Sequence, residues 1–205
     1  MRRVLLSAVL AAGLLGVISS QAVNATHEPA DKVSASGSAG IVVSPGSNVT
    51  LMSERIRTSS PSDLILGVTA ECVITTELTT VGNDLETAEA QVRIWIEVDG
   101  VVVPVSADDT ADPGKVTFCD RLDERETTVF DDEDATIRTL QRTGNANGFN
   151  WLKLNTGSGI HTIEVKADLT HAATDGADAL AAVGKRTLII EPVKAANDET
   201  ITQLG

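Results

Sequence analysis

From Ile41 onward, apolar and polar residues mostly alternate with the two-residue period of an extended strand, and no stretch sustains the 3.6-residue period of a helix face. The clearest run is Val92, Ile94, Ile96 and Val98 on one face, with Arg93, Trp95 and Glu97 on the other. Asp99-Gly100 follows, a pair that accepts the positive backbone angles of a tight type I′ turn, so the chain is expected to return as a hairpin over Val101 to Val105. After the turn residues Gly157-Ser158-Gly159, Ile163, Val165, Ala167 and Leu169 alternate against Thr162, Glu164, Lys166 and Asp168. Leu64, Leu66, Val68, Ala70, Cys72 and Ile74 form a third run. Shorter strands are expected over 49–56, 116–122, 149–154 and 186–190. About seven or eight strands with hairpin-scale connections predict an all-β chain, two antiparallel sheets closed face to face as a β-sandwich. Two segments read differently. Asp131 to Arg142 has acids at its start, arginines near its end and Gly144 just beyond, which are helix signals, and Ala177 to Val183 is read as a helical turn or two inside a loop.

Before the alternating region the pattern changes. Arg2 and Arg3 precede an apolar run from Val4 to Ile18, and Val23-Asn24-Ala25 leads into polar Thr26-His27-Glu28. A basic end, a short apolar segment and small residues at the third and first positions before a cut make a secretory signal peptide, with cleavage expected after Ala25. The run is too short to span a bilayer comfortably. Residues 26–40, rich in Ser, Ala and Gly, read as a flexible lead-in, 41–193 as one β-sandwich domain, and 194–205 as a polar tail.

The string Gly159-Ile160-His161-Thr162-Ile163-Glu164-Val165-Lys166-Ala167, followed by a last apolar strand near Lys185 to Ile190, resembles the final strand pair of bacterial immunoglobulin-like and fibronectin-like domains over about the last quarter of the chain. The resemblance implies an immunoglobulin-like sandwich. The chain departs from true immunoglobulin domains in having no tyrosine, hence no tyrosine corner, and in placing Trp95 on the polar face of its strand.

Charge narrows the partners. Sixteen basic residues stand against 29 acidic ones, a net charge of −13, and loss of the signal's two arginines leaves the mature chain more acidic still. Such a surface repels phosphate backbones and anionic lipid, so neither nucleic acid nor membrane insertion is expected. Cys72 and Cys119 are the only cysteines, and in an exported chain an even pair predicts a disulfide. Alternation puts Cys72 on an apolar face but Phe118, not Cys119, on the matching one. Either a bulge intervenes or the disulfide ties a sheet edge rather than bridging the core.

Catalytic signals are thin. There is no nucleophile-elbow motif, and in the expected domain only His161 and His171 could serve as a base, His161 sitting at a strand start on the apolar parity of a half-buried structural histidine. Asp120, Asp123 and Glu124 offer carboxylates for a glycoside-hydrolase-like site, and Asp168 with His171 makes only a partial zinc set. No cofactor is expected. Calcium has weak candidate ligands in Asp108, Asp109 and Asp112 and in Asp131, Asp132, Glu133 and Asp134, without EF-hand spacing. Trp95, Phe149 and Trp151 share strand faces with Arg93 and Lys153 and form a candidate ligand face, since an exposed indole stacks on sugars or anchors a protein partner. The expectation is a non-catalytic secreted module for binding, adhesion or an accessory role, its partner an extracellular protein or glycan. The alternatives are a carbohydrate-binding module using exposed tryptophans and a secreted hydrolase with a carboxylate site. The cleavage site and low cysteine count favour a bacterial source, although Asn48-Val49-Thr50 would be a glycosylation acceptor in a eukaryote.

Overall fold

A computed structural model describes residues 32–42, 47–81, 85–105, 114–126 and 136–194. The strands in chain order are β1 (Val33–Gly37), β2 (Ile41–Val42), β3 (Ser47–Thr58), β4 (Ser62–Val81), β5 (Leu85–Val98), β6 (Val101–Val102), β7 (Val116–Glu126), β8 (Thr136–Thr156), β9 (Gly159–Ala173) and β10 (Ala177–Val193). They form two five-stranded antiparallel sheets. The first has the order β1-β10-β4-β8 with β2 also on β10, and the second β3-β9-β5-β6 with β7 also on β5.

The alternation seen in the sequence is what builds the interior. Along β5, Ala88, Ala90, Val92, Ile94, Ile96 and Val98 all point inward and are buried. On β9, Ile163, Val165, Ala167 and Leu169 do the same, and the facing sheet supplies Leu64, Leu66, Val68 and Ala70 of β4 with Leu188 and Ile190 of β10. These residues from both sheets belong to one buried cluster. Burying side chains of this size removes apolar area from water at about 25 cal/mol per Å², which makes the shared core the main source of stability. The Asp99-Gly100 turn forms with φ of +53° and +78°, joining Val98 to Val101, but the returning strand stops at Val102.

Several segments differ from the sequence reading. Thr136 to Arg142, expected to be helical, is the first third of β8, paired with β4 from Thr75 to Val81; residues 131–135 lie outside the described residues. Ala177 to Val183 is likewise strand, pairing with β4 from Cys72 to Leu78. Long-range pairing overrides the end signals here because β4 runs for 20 residues and each of its edges needs a hydrogen-bonded partner. Part of the expected lead-in is also ordered, as β1 pairs Val33 to Gly37 against Arg186 to Ile190. Finally, β9 and β10 lie in different sheets, not side by side.

The two cysteines are bonded, with Cα atoms 6.5 Å apart. Of the two alternatives raised by the parity mismatch, the bulge is the one that holds. Val92 pairs with Cys119 and Arg93 with Thr117, which leaves Phe118 as the extra residue of a bulge. The bond bridges the two sheets through the core rather than tying an edge alone, since it joins β7, at the margin of one sheet, to the buried Cys72 on the interior strand β4 of the other. Such a bond fits an oxidising compartment. No helix among the described residues is long and apolar enough to cross a membrane.

Candidate ligand-binding surface

The outward face of the first sheet carries a cleft of about 520 Å³ that crosses four strands. Its wall takes Ser36 and Gly37 from β1, Thr69 and Glu71 from β4, Gly144 to Ala146 from β8, and Lys185 to Thr187 from β10. Small residues open it: the cross-strand row Ser36, Thr187 and Thr69 presents hydroxyls, and Gly37 and Gly144 bare backbone, where a surface strand ordinarily carries long side chains. A register shift in β10 between Val183 and Arg186 shapes one side. There, a side chain at Gly184 would meet the Glu71 carboxylate at 2.9 Å, so glycine lets Glu71 lie across the bulge, where it accepts from the Lys185 amide at 3.4 Å. Arg186 braces the floor by donating to the carbonyls of Leu51, Ala39 and Gly184, and burial lowers its pKa from the usual value. The wall thus combines hydroxyls, an amide, one carboxylate, one ammonium and the Arg186 guanidinium on a largely apolar lining. That set can hydrogen-bond a polar ligand but holds no activated nucleophile. The sequence reading missed these residues, although the outward-parity glycines and threonines of β4 and β8 were a usable sign.

His161 is a structural clasp. Its Nδ1 donates to Asp99 Oδ2 at 2.7 Å, while Nε2 lies 2.9 Å from the Gly157 carbonyl oxygen and 3.2 Å from Thr58 Oγ1. Asp99 accepts from the Thr162 amide at 2.8 Å, and Thr58 donates its hydroxyl to the Gly157 carbonyl at 2.5 Å. An Asp, a His and a hydroxyl in line invite comparison with a nucleophilic triad. Here the hydroxyl proton goes to a carbonyl and not to the imidazole, and Thr58 is buried, so the three groups instead pin the β5–β6 turn, the end of β3 and the β8–β9 turn together. Burial raises the Asp99 carboxyl, but hydrogen bonds from His161 and the Thr162 amide, with positive charge from His161 and Lys153, outweigh it and hold the carboxyl below its ordinary range.

The aromatic residues do not make a shared surface. Trp95, outward on β5, is 3% exposed because the Lys115 ammonium sits 4.8 Å from the ring centroid. Lys115 donates to Asp168 at 2.8 Å, Trp95 Nε1 donates to Glu97 at 3.0 Å, and Lys166 bridges Glu97 and Glu164, so paired charges close over the indole. Trp151, inward on β8 in the other sheet, is 1% exposed, stacked on Phe118 and edge-on to Phe149, with Nε1 donating to Gly114 O at 2.8 Å. The candidate face of Trp95, Phe149 and Trp151 is therefore split between two sheets and covered; each indole finds a partner for its N–H and buries its large apolar ring.

The remaining candidates also separate. Asp120 and Glu124 are exposed on the outer side of β7, while Asp123 points inward, accepts from the Thr76 hydroxyl and pairs with Arg121 at 3.7 Å, so these carboxylates do not face one another as a catalytic pair. Asp168 is engaged by Lys115 and Arg93, and no group of three potential metal ligands occurs among the described residues. The weak calcium candidates Asp108, Asp109, Asp112, Asp131, Asp132 and Asp134 lie outside the described residues.

No protein-family model matches the chain, and no curated protein matches it.

Proposed function

We propose that the chain is a secreted, non-catalytic β-sandwich that works as an extracellular binding, adhesion or accessory module, and that the cleft across β1, β10, β4 and β8 holds its ligand. The observation that carries this is the cleft itself, an open depression lined mostly by carbon, into which hydroxyls, an amide and the charged groups of Glu71, Lys185 and Arg186 are set. Its chemistry suits a ligand with both apolar and polar faces, a glycan or an extended peptide of a protein partner. His161 and both cysteines are committed to holding the fold, which favours binding over turnover. The two-sheet antiparallel architecture supports kinship in form with immunoglobulin-like domains. Those domains keep their last two strands in one sheet, however, whereas β9 and β10 are divided.

Probing glycan and peptide arrays with the mature chain from Thr26, alongside Gly144→Leu and Glu71→Gln, tests the reading. A side chain at Gly144 meets only Val73, at 3.8 Å, so leucine fills the cleft without breaking the sheet. Binding should fall roughly tenfold or more in Gly144→Leu, the loss expected when contacts worth about 1.4 kcal/mol are blocked. Ligands retained equally by both variants would place the binding surface elsewhere.

A further inference from the structure

An uncovered sheet edge is a template for another strand, and proteins ordinarily blunt theirs with short strands, bulges, lysine, proline or charges turned inward. Among the described residues, three of the four sheet margins are blunted. One margin of the first sheet is made of β1 and β2, five and two residues long. β3, at a margin of the second sheet, has a register shift between Thr50 and Met52 and sets Glu54 on the inward side, opposite buried Ile163. β7, at the other, carries the Phe118 bulge and turns Arg121, Asp123 and Arg125 inward.

β8 differs from all three. It is 21 residues long, keeps one register with β4 from Thr136 to Lys153, and has no lysine or proline from Thr136 to Leu152. Its second edge pairs with no strand among the described residues. The bonds that join it to β7 run through its side chains at Thr139, Gln141, Thr143 and Asn147, so they occupy none of its backbone groups.

The charges β8 does carry point outward and share one sign. Arg138, Leu140 and Arg142 alternate along the outward face, all exposed, Leu140 at 60%. Arg142 forms no ion pair among the described residues, and Arg138, paired with Glu77, keeps 66% of its side chain exposed. A second β8 laid antiparallel on this edge about Leu140 would set Arg138 against Arg142 twice, so the row works against self-pairing. The same row favours a strand that brings carboxylates.

We propose that the β8 edge takes up an extended segment of a protein partner as an added strand, and that this segment alternates acid, aliphatic and acid at every second position. The aliphatic side chain packs on Leu140, and the carboxylates to either side face Arg138 and Arg142. Main-chain hydrogen bonds supply the affinity and the alternate side chains the selectivity. The intervening residues stand on the inward side next to Thr139, Gln141 and Thr143, where small polar groups fit. A chain of net charge −13 repels acidic partners at long range, and the two arginines are the local attraction that admits one. This edge is a surface beyond the cleft, whose β8 wall starts at Gly144.

The probe is the capped heptapeptide Thr-Glu-Thr-Val-Thr-Glu-Thr, titrated into the mature chain from Thr26 and followed by amide exchange and NMR shifts. Strand addition should protect every second amide between Ile137 and Thr143, the period of groups that point off an edge. The counterpart with lysine in place of both glutamates should bind roughly 3- to 30-fold more weakly, and Arg142→Glu should reverse that preference. Leu140→Ser removes the central contact without touching charge and should weaken the glutamate peptide should Arg142→Glu fold poorly. Gly144→Leu fills the cleft and should leave the peptide bound, so loss of cleft ligands and loss of the peptide are separable. No alternate-amide protection at millimolar peptide, equal affinity for both peptides, or loss of the peptide in Gly144→Leu would each overturn the proposal.

Discussion

Among single side chains, the largest consequences come from groups that reconcile polarity with burial. Asp99 binds the His161 ring and the Thr162 amide, and its carboxyl is held below the ordinary range. A carboxyl whose folded pKa lies below its unfolded value, about 3.9 for aspartate, contributes stability that is fully present above that value and is lost as pH falls through the folded pKa. Thermal melts should therefore show a fall in Tm on acidification below about pH 4 that is smaller in Asp99→Asn, a substitution that tolerates the positive φ of this turn. An acid response identical in the two proteins would mean that the clasp carries no linkage. Gly114 is a second sensitive point. Its φ is +81°, a Cβ there would lie 2.2 Å from the Val103 carbonyl oxygen, and its own carbonyl receives the Trp151 indole N–H. Gly114→Ala forces backbone apart, so urea denaturation should report a loss on the order of 2–4 kcal/mol.

Strands behave as units larger than their local patterns. The first third of β8 carries acids before it, arginines within it and glycine after it, yet β4 needs a neighbour along its full length, and Ile137, Thr139 and Thr143 are β-branched residues suited to supply one. The same demand makes 177–183 a strand opposite Cys72 to Leu78. Helix end signals are worth a few tenths to about 1 kcal/mol each, less than a ladder of sheet hydrogen bonds with packed side chains. β7 depends on a different restraint. Its inward side is polar, with Arg121, Asp123 and Arg125 bonded across to Gln141, Thr143, Thr76 and Thr139, so the strand is secured more by hydrogen bonds and the disulfide than by apolar burial. Replacing both cysteines by alanine opens a loop with a sequence separation of 47. On the chain-entropy relation this lowers unfolding free energy by about 4 kcal/mol, measurable as a shift of the urea midpoint. Amide exchange should speed up in β7 before it does in β5, and equal rates in the two strands would argue against the disulfide as the restraint on this edge.

For the molecule as a whole, the single buried cluster shared by both sheets predicts one cooperative transition. Trp95 reports from the outside of the second sheet and Trp151 from the inside of the first, so the single-tryptophan variants Trp95→Phe and Trp151→Phe should unfold with closely matching fluorescence profiles across the transition. Both should start blue-shifted and poorly quenched by acrylamide, since each indole is nearly inaccessible. Two separated transitions would mean that the sheets fold independently. How much of this was readable beforehand follows from the range of each interaction. Alternation is a local consequence of the two-residue strand period, so the sequence by itself determined the all-β class, the inward faces of β4, β5 and β9, the Asp99-Gly100 turn and the parity conflict that marked the bulge at Phe118. Which strands become neighbours, whether an outward indole is roofed by a lysine 20 positions further along, and where bare backbone from four strands gathers into a cleft depend on contacts between residues far apart in the chain. No local period encodes those contacts. Tertiary structure alone decided that Trp95 is covered and that His161 clasps the Asp99-Gly100 turn, the end of β3 and the β8–β9 turn together.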